Sequence, residues 1–168
     1  VTGPLADEDN FMTSRYGPNG LETVTVLAGL RNYLKGIAEV DYAKGCDIVD
    51  AGWPATEILP APMSEQEKQG IAEAVAKAGE SDVIIAVLGE DEYRTGESRS
   101  RTSLDLPGRQ QQLLEALHAT GKPVILVLIN GQPLTVNWAN AYIPAILESW
   151  FPGCQGGNGD CGDSVWRA

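Results

Sequence analysis

Apolar residues recur at intervals of three and four positions in the stretch GLETVTVLAGLRNYLKGI, as they do on one face of an α-helix. The repeat consists of Val24, Leu27, Leu30, Leu34 and Ile37. It predicts a helix that begins after the GPNG turn and ends near Gly36.

A second helical pattern follows Ser64. Ser64 and Glu67 have the S-x-x-E spacing of a capping box, in which each residue satisfies a backbone N–H of the other. Ile71, Val75 and Ala78 then continue the apolar face. These positions predict an amphipathic helix from Ser64 to about Gly79.

Two runs are apolar at nearly every position and rich in β-branched residues: DVIIAVLG at 82–89 and PVILVLIN at 123–130. Such runs are typical of parallel strands that are covered on both faces. AILESW at 145–150 predicts a third strand, and the alternation of Val40 and Tyr42 a short earlier one. The segment between Asp47 and Pro62 predicts a surface loop.

The stretch LPGRQQQLLEALHATG lies between the two apolar strands and predicts a helix with Pro107 in its first turn and Gly121 beyond its end. PLTVNWANAY predicts a short helical or irregular segment. Helices and strands therefore alternate, which indicates an α/β fold with a parallel sheet between helix layers. Ligands of such sheets bind at the carboxyl ends of the strands. The loops GEDEYRTGESRSR and NGQP both lie at that edge.

The net charge of −11 over 168 residues argues against nucleic acid and anionic membrane surfaces as partners, because both require clustered cations. The chain contains no apolar run of membrane-spanning length, and its first residues do not resemble a signal peptide. Cys46, Cys154 and Cys161 lack metal-ligand spacing, and His118 alone cannot complete a zinc set. We therefore assign no metal and no cofactor.

The loop after the first apolar strand carries the candidate chemistry. It holds four carboxylates and three arginines: Glu90, Asp91, Glu92, Arg94, Glu97, Arg99 and Arg101. A carboxyl group beside an arginine stays ionised, whereas burial raises its pKa, so nucleophile, acid and structural ion pair all remain open from the residues alone. A salt-bridged surface loop without chemistry would have the same composition.

Several motifs in the same order resemble one family. SDVIIAVLGEDEYRTGESRSRTSLDLPGRQQQLLEAL, GKPVILVLINGQPLTVNWA and PAILESWFPGCQGGN are similar to the C-terminal α/β sandwich domain of glycoside hydrolase family 3, the β-glucosidases and related exo-acting enzymes. GPLAD, LAGLRNYL and YAKGC resemble the start of that domain. The resemblance covers residues 1–158 and implies a three-layer αβα sandwich with a mostly parallel sheet, incomplete at both ends.

The resemblance also implies a retaining glycosidase that works through two carboxylates. In the family the nucleophile is an aspartate of a preceding (β/α)₈ barrel domain, and a loop of the sandwich domain supplies the acid/base glutamate. Glu97, in TGE, matches that glutamate, and Glu90, in LGE, is the second candidate. Tyr93, Arg94, Arg99 and Arg101 are candidates for substrate binding or for ordering the loop, with Asp91, Glu92 and Asp105 as expected partners of Arg99 and Arg101.

The barrel is absent from this sequence, since such a domain needs about 250 residues. We therefore expect a fragment of a β-glycosidase that requires the missing barrel as its partner, acts on a β-glycoside or oligosaccharide, and is inactive alone. Export to the periplasm or medium is implied by family analogy only. Self-association is also expected, because an incomplete sheet exposes an edge.

Residues 159–168, GDCGDSVWRA, depart from the family pattern, which continues as an apolar helix. Codons can be chosen for this tail such that removing a single G after the Asn158 codon shifts the reading frame. The shifted frame then encodes Ala-Ile-Ala-Glu-Ile-Leu-Phe-Gly. We therefore expect an aberrant tail that arose by a frameshift, in which Cys161 and Trp166 carry no function.

Two other classes of protein fit less well. A non-catalytic carbohydrate-binding or interaction module would have the same fold without activity. A nucleotide-binding domain would need a glycine-rich phosphate loop after a strand, which neither apolar strand has. Trp53, Trp138 and Trp150 could stack on sugar rings, but tryptophans at strand ends and helix contacts more often belong to the core.

Overall fold

The computed structural model describes residues 1–9, 13–17 and 20–161. A parallel sheet in the order β1-β2-β3 forms its centre. Its strands are β1 (Ile84–Gly89), β2 (Val124–Ile129) and β3 (Ala145–Glu148). All three were predicted. The strands β1 and β2 were recognisable because they are buried between helix layers and are apolar on both faces.

Within the described ranges, five α-helices flank the sheet: α1 (Val26–Tyr33), α2 (Glu65–Glu80), α3 (Gln110–His118), α4 (Asn137–Tyr142) and α5 (Gly156–Cys161). A short 3₁₀ turn, Ala55–Glu57, lies between α1 and α2. Residues 18–19 of the predicted GPNG turn and residues 162–168 of the tail lie outside the described residues, so the prediction of an aberrant tail stays a prediction.

The sheet has a core on each face. On one face, Ala86 and Leu126 belong to a cluster with buried residues of α2, α3 and α4. On the other, Val87 and Val127 pack with Leu5 and with Val26 and Leu30 of α1. Alternate residues of β1 and β2 thus point into different layers, which confirms the α/β sandwich.

The first predicted helix is shorter than its apolar repeat. The α1 helix ends at Tyr33, and Gly36 then takes a φ of +77°, so the chain leaves the helical path. Ile37 is consequently 75% exposed, and its predicted place on the buried face is wrong.

Two other boundaries differ from prediction. Val40 and Tyr42 form no strand, and only Ala43 makes a β-bridge, to Thr2. The helix predicted to contain Pro107 in its first turn begins at Gln110, because Gly108 has a φ of +62° that a helix cannot accommodate.

On the side of β1 that faces away from β2, a single residue, Thr2, pairs with the strand. Thr2 bridges both Ala86 and Ala43. Its N–H donates to the carbonyl of Ile85 (2.9 Å), and its own carbonyl accepts from the N–H of Val87 (2.8 Å). A single residue therefore continues the sheet beyond β1.

The Gln110 side chain closes the carboxyl end of β1. Its Oε1 accepts from the N–H of Gly89 (2.7 Å), and its Nε2 donates to the carbonyls of Gly89 (2.8 Å) and Ile48 (3.0 Å). Because Gln110 is fully buried, its side-chain amide takes the place of water as the hydrogen-bond partner of the Gly89 N–H and carbonyl. The first residue of α3 thereby fixes the point from which the next loop departs.

Replacing Gln110 with Leu should lower the free energy of unfolding by about 3 kcal/mol, because buried backbone groups at Gly89 and Ile48 lose their partners. Urea unfolding of the whole chain measures the effect. Gln112→Leu on the exposed face of the same helix is the matched control, with an expected change within about 0.5 kcal/mol. Equal effects of the two substitutions would contradict this role.

The predicted capping box of α2 is present. The N–H of Glu67 donates to Ser64 Oγ (3.2 Å), and the N–H of Ser64 donates to Glu67 Oε2 (2.6 Å). Arg109 Nε also donates to Glu67 Oε1 (2.9 Å). Partial burial acts to raise the pKa of Glu67, but the hydrogen bonds from Ser64 and Arg109 outweigh it, so the pKa lies below its usual 4.5.

Because the pKa of Glu67 is lowered in the folded chain, its ionised form stabilises the fold above pH 4.5, and this contribution disappears as pH falls through the lowered pKa. Glu67→Gln should therefore cost about 1 kcal/mol at pH 7 and progressively less towards pH 3. Urea unfolding at both pH values tests this. Glu65→Gln, in an exposed ion pair with Lys68, serves as the control, and a pH-independent cost at Glu67 would contradict the assignment.

Candidate functional site

The loop of residues 90–101, here called the Glu97 loop, leaves the sheet at the carboxyl end of β1. The Glu90 N–H still donates to the carbonyl of Ile129 (2.8 Å), the last residue of β2. Gln132 Nε2, from the loop after β2, donates to Glu90 Oε1 (2.9 Å). The two loops that the sequence placed at this edge of the sheet thus contact each other.

Glu97 lies at the exposed tip of the loop. Its neighbours Gly96 and Ser98 have φ angles of +103° and +62°, which turn the chain sharply on each side. The backbone is held in place by Tyr16 and Arg15: the Glu97 N–H donates to Tyr16 Oη (3.0 Å), and Arg15 Nη1 donates to the Glu97 carbonyl (3.3 Å). The main chain is fixed while the residue stays exposed to solvent.

Glu90, the second candidate, is in the opposite environment. Its side chain is completely buried and forms an ion pair with Arg101 Nη1, while Gln132 donates to the same oxygen. The other oxygen, Oε2, has no hydrogen-bond partner among the described residues. Burial raises the pKa of Glu90, and the hydrogen bonds from Gln132 and Arg101 oppose that shift. The contacts of this carboxylate with Arg101 and Gln132 therefore lie inside the domain.

Arg94 and Asp91 form a second ion pair at the start of the loop. The Arg94 guanidinium lies 4.9 Å from the centroid of the Trp53 ring, a cation–π contact. Asp91 also accepts from the N–H of Tyr93 (3.0 Å), whose side chain is half exposed. Burial raises the pKa of Asp91, and the charge of Arg94 opposes this. The Arg94 side chain is thus held by contacts within the domain, and its two predicted roles, sugar binding and loop ordering, stay predictions.

The other two arginines differ from each other. Arg101 is buried and donates to Glu57, Glu90 and the carbonyl of Asp105. Of its three expected partners only Asp105 is contacted, and through the backbone. Arg99 is exposed, and its side chain forms no ion pair within the described part of the chain, so its expected carboxylate partner is not found there.

Sequence reasoning missed Glu57, Gln132, Arg15 and Tyr16 as parts of this site. Gln132 could have been found, because it lies in the NGQP loop that was already assigned to the correct edge. Glu57 gave no such signal, since it lies in an irregular segment 44 positions before Arg101. Only the tertiary fold brings the two together.

The three tryptophans considered as sugar-stacking residues have different environments. Trp138 packs against the core and its ring centroid lies 5.6 Å from that of His118, as predicted for a core residue. Trp53 is half buried under Arg94. Trp150 is 50% exposed, so its assignment to the core is wrong. It follows β3 with a φ of +52° and lines an open cleft of about 440 Å³ with Asn130 and Phe151.

Cys46 is buried, and burial raises its pKa to about 12, so it is a neutral thiol at physiological pH. Within the described ranges, no group of three or more His, Cys, Asp or Glu residues is arranged to bind a metal ion. None of the helices in those ranges has the length and apolar character needed to cross a bilayer.

Comparison with known proteins identifies related sequences over nearly the whole chain. The model of the glycosyl hydrolase family 3 C-terminal domain matches residues 1–160. A β-xylosidase of Formosa agariphila is 39% identical over 164 residues, which is 94% of this chain and 21% of that protein. A periplasmic β-glucosidase of Salmonella typhimurium is 41% identical over 167 residues, 94% of this chain and 22% of that protein.

Solved structures give the same result. A β-glucosidase of Erythrobacter marinus is 35% identical with a TM-score of 0.76, covering 95% of this chain and 23% of that one. A β-glucosidase of Listeria innocua in complex with isofagomine is 27% identical with a TM-score of 0.76, covering 94% of this chain and 19% of that one. The chain thus spans about a fifth of the length of its relatives. It belongs to glycosyl hydrolase family 3 and corresponds to the C-terminal domain of that family.

Proposed function

We propose that this chain is the acid/base-donating part of a retaining, exo-acting β-glycosidase. Its active site is completed by a (β/α)₈ barrel domain, and the chain is inactive alone. Glu97 is the general acid/base that protonates the leaving-group oxygen and later activates water. The substrate class is a β-glycoside or oligosaccharide, in line with the β-xylosidase and β-glucosidase relatives.

The observation that carries the proposal is the contrast between a fixed backbone and an exposed side chain at Glu97. The Glu97 N–H donates to Tyr16 Oη and the Glu97 carbonyl accepts from Arg15, yet the residue is exposed at the tip of the loop. A carboxyl group that must come within about 5 Å of a nucleophile on another domain has to project out of its own domain. Glu90 does not meet this requirement, because it is buried against Arg101 and Gln132.

The ordering of the loop fits the same role. Arg94 is held by Asp91 and Trp53, which leaves its guanidinium less available to a sugar. Tyr93 and Arg99 are exposed on the loop and are the residues through which it would contact a sugar. By the same comparison we include export in the proposal, because the Salmonella relative is named as a periplasmic enzyme.

The alternative function is a non-catalytic carbohydrate-binding or interaction module. The half-exposed Trp150 favours it, because an aromatic ring beside an open cleft can stack on a sugar. The two functions differ in their dependence on Glu97, since only the enzyme needs that carboxyl group.

Mixing this chain with a separately produced family 3 barrel domain should generate hydrolysis of aryl β-glucosides, whereas each part alone should be inactive. In the mixture, Glu97→Gln should slow substrates with poor leaving groups by about 100-fold or more, because those need a proton from the acid. Substrates with good leaving groups, such as 2,4-dinitrophenyl glucoside, should slow far less. The measurement is kcat for a leaving-group series.

Glu92→Gln, on the same loop, is the matched control and should leave the series unchanged. Equal loss at Glu97 for good and poor leaving groups would argue against an acid role. Hydrolysis by the 168-residue chain alone would mean that the nucleophile lies in this chain.

We further propose that the chain self-associates through β3. Ala145, Ile146 and Glu148 are exposed, and among the described residues no strand pairs with the outer edge of β3. An unpaired strand edge is a template for another chain. Sedimentation velocity over a concentration series should reveal association that Ile146→Lys reduces, and a concentration-independent monomer would contradict the proposal.

A further inference from the structure

The first and last residues of the Glu97 loop form a buried ion pair with each other. Glu90 is the residue that follows β1, and Arg101 ends the loop. The Arg101 side chain is 2% exposed and the Glu90 side chain 0%. The loop is therefore closed at its base, and its ends cannot separate without exposing or unpairing a buried charge.

A third buried group joins this pair from outside the loop. Glu57, in the 3₁₀ turn Ala55–Glu57, accepts a hydrogen bond from Arg101 Nε through Oε1 (2.8 Å). Its other oxygen, Oε2, accepts from Thr102 Oγ1 (2.7 Å) and from the Thr102 N–H (3.2 Å). Glu57 thus holds the point at which the loop returns to the domain. Burial acts to raise the pKa of Glu57, but the bonds from Thr102 and Arg101 outweigh it, and the net pKa is lowered.

Every nitrogen group of the Arg101 guanidinium has a different acceptor. Nε donates to Glu57, Nη1 to Glu90, and Nη2 to the carbonyl of Asp105 (2.7 Å). A lysine ammonium is a single point of charge and cannot reach three acceptors arranged around a plane. The geometry of the cluster therefore depends on arginine rather than on positive charge alone.

We propose that Glu57 and Arg101 are positioning residues for Glu97. They fix where the loop returns to the domain, as Glu90 and β1 fix where it leaves. Between these two points the Tyr16 and Arg15 contacts settle the place of the Glu97 backbone. Misplacing a catalytic group by about 1 Å can cost two orders of magnitude in rate, so such a clamp acts on catalysis without touching substrate. The catalytic part of this inference rests on the proposed function.

The clamp can be tested on the 168-residue chain by amide hydrogen exchange. Three loop amides report its order: Arg94 N–H to the Asp91 carbonyl, Glu97 N–H to Tyr16 Oη, and Arg99 N–H to the Gly96 carbonyl. In Glu57→Gln these amides should exchange at least about 10-fold faster relative to amides of β1 and β2, since a local opening leaves the core unaffected. Thr102→Val, which removes one bond to Glu57 without changing charge, should give a smaller shift in the same direction.

Glu65→Gln is the matched control, because Glu65 is a carboxylate in an exposed ion pair with Lys68 and should leave the loop amides unchanged. If loop and core amides accelerate equally in both Glu57→Gln and Thr102→Val, or if the loop amides do not change, the clamp does not order the loop and the proposal is overturned.

A kinetic measurement tests the catalytic consequence separately. In the mixture with a barrel domain, Glu57→Gln and Arg101→Lys should each lower kcat by about 10-fold or more. KM should stay within about 3-fold, and the pH profile should keep its shape, because the acid itself is unchanged. Unchanged kcat beside a loosened loop would show that loop order does not limit the reaction. An inactive wild-type mixture would instead count against the proposed function, and the exchange result would still decide whether the clamp exists.

Discussion

The parallel register between β1 and β2 is the constraint on which the rest of the molecule depends. Six consecutive residues pair across the two strands, from Ile84 with Val124 to Gly89 with Ile129. Because both strands end at the same pair, the loops that follow begin side by side. The Glu90 N–H can then donate to the Ile129 carbonyl, and the Glu90 carboxylate can accept from Gln132.

The two glutamates Glu90 and Glu97 lie on one loop but differ in burial, and their contacts differ accordingly. The buried Glu90 carboxylate forms an ion pair with Arg101 and accepts a hydrogen bond from Gln132, and both contacts lie within the domain. Glu97 is seven positions further on, beyond the Asp91–Arg94 turn, where only its backbone is held. Under the proposed function the ordered base and the exposed tip are complementary, because a side chain that acts outside its domain needs a support that stays inside it.

The sequence predicts the layers of this fold well and its connections less well. The strands were recognisable because Ile85 and Ala86 face different layers and both must be apolar. Helix ends were less certain, since a departure from the helical path at Gly36 changes the burial of Ile37 without changing the apolar spacing. The spacing of apolar residues along the sequence does not show where the chain turns away from the core.

The candidate site divides in the same way. Glu97 could be singled out because a motif surrounds it, and the correct edge of the sheet follows from the order of elements. The contact between Glu57 and Arg101 could not, because it joins a 3₁₀ turn to the end of a loop 44 residues later in the chain. Such long-range polar contacts leave no periodic signal in the chain.

Gly89 has a φ of +137°, and a Cβ at this position would collide with the carbonyl oxygen of Ile129. The backbone conformation of Gly89 thus sets the direction in which the Glu97 loop leaves β1, whatever side chains the loop itself carries. Residues between the buried base and the tip can then change in identity or number while the departure angle stays the same. A domain built this way can accommodate new loop sequences as long as the strand ends in glycine.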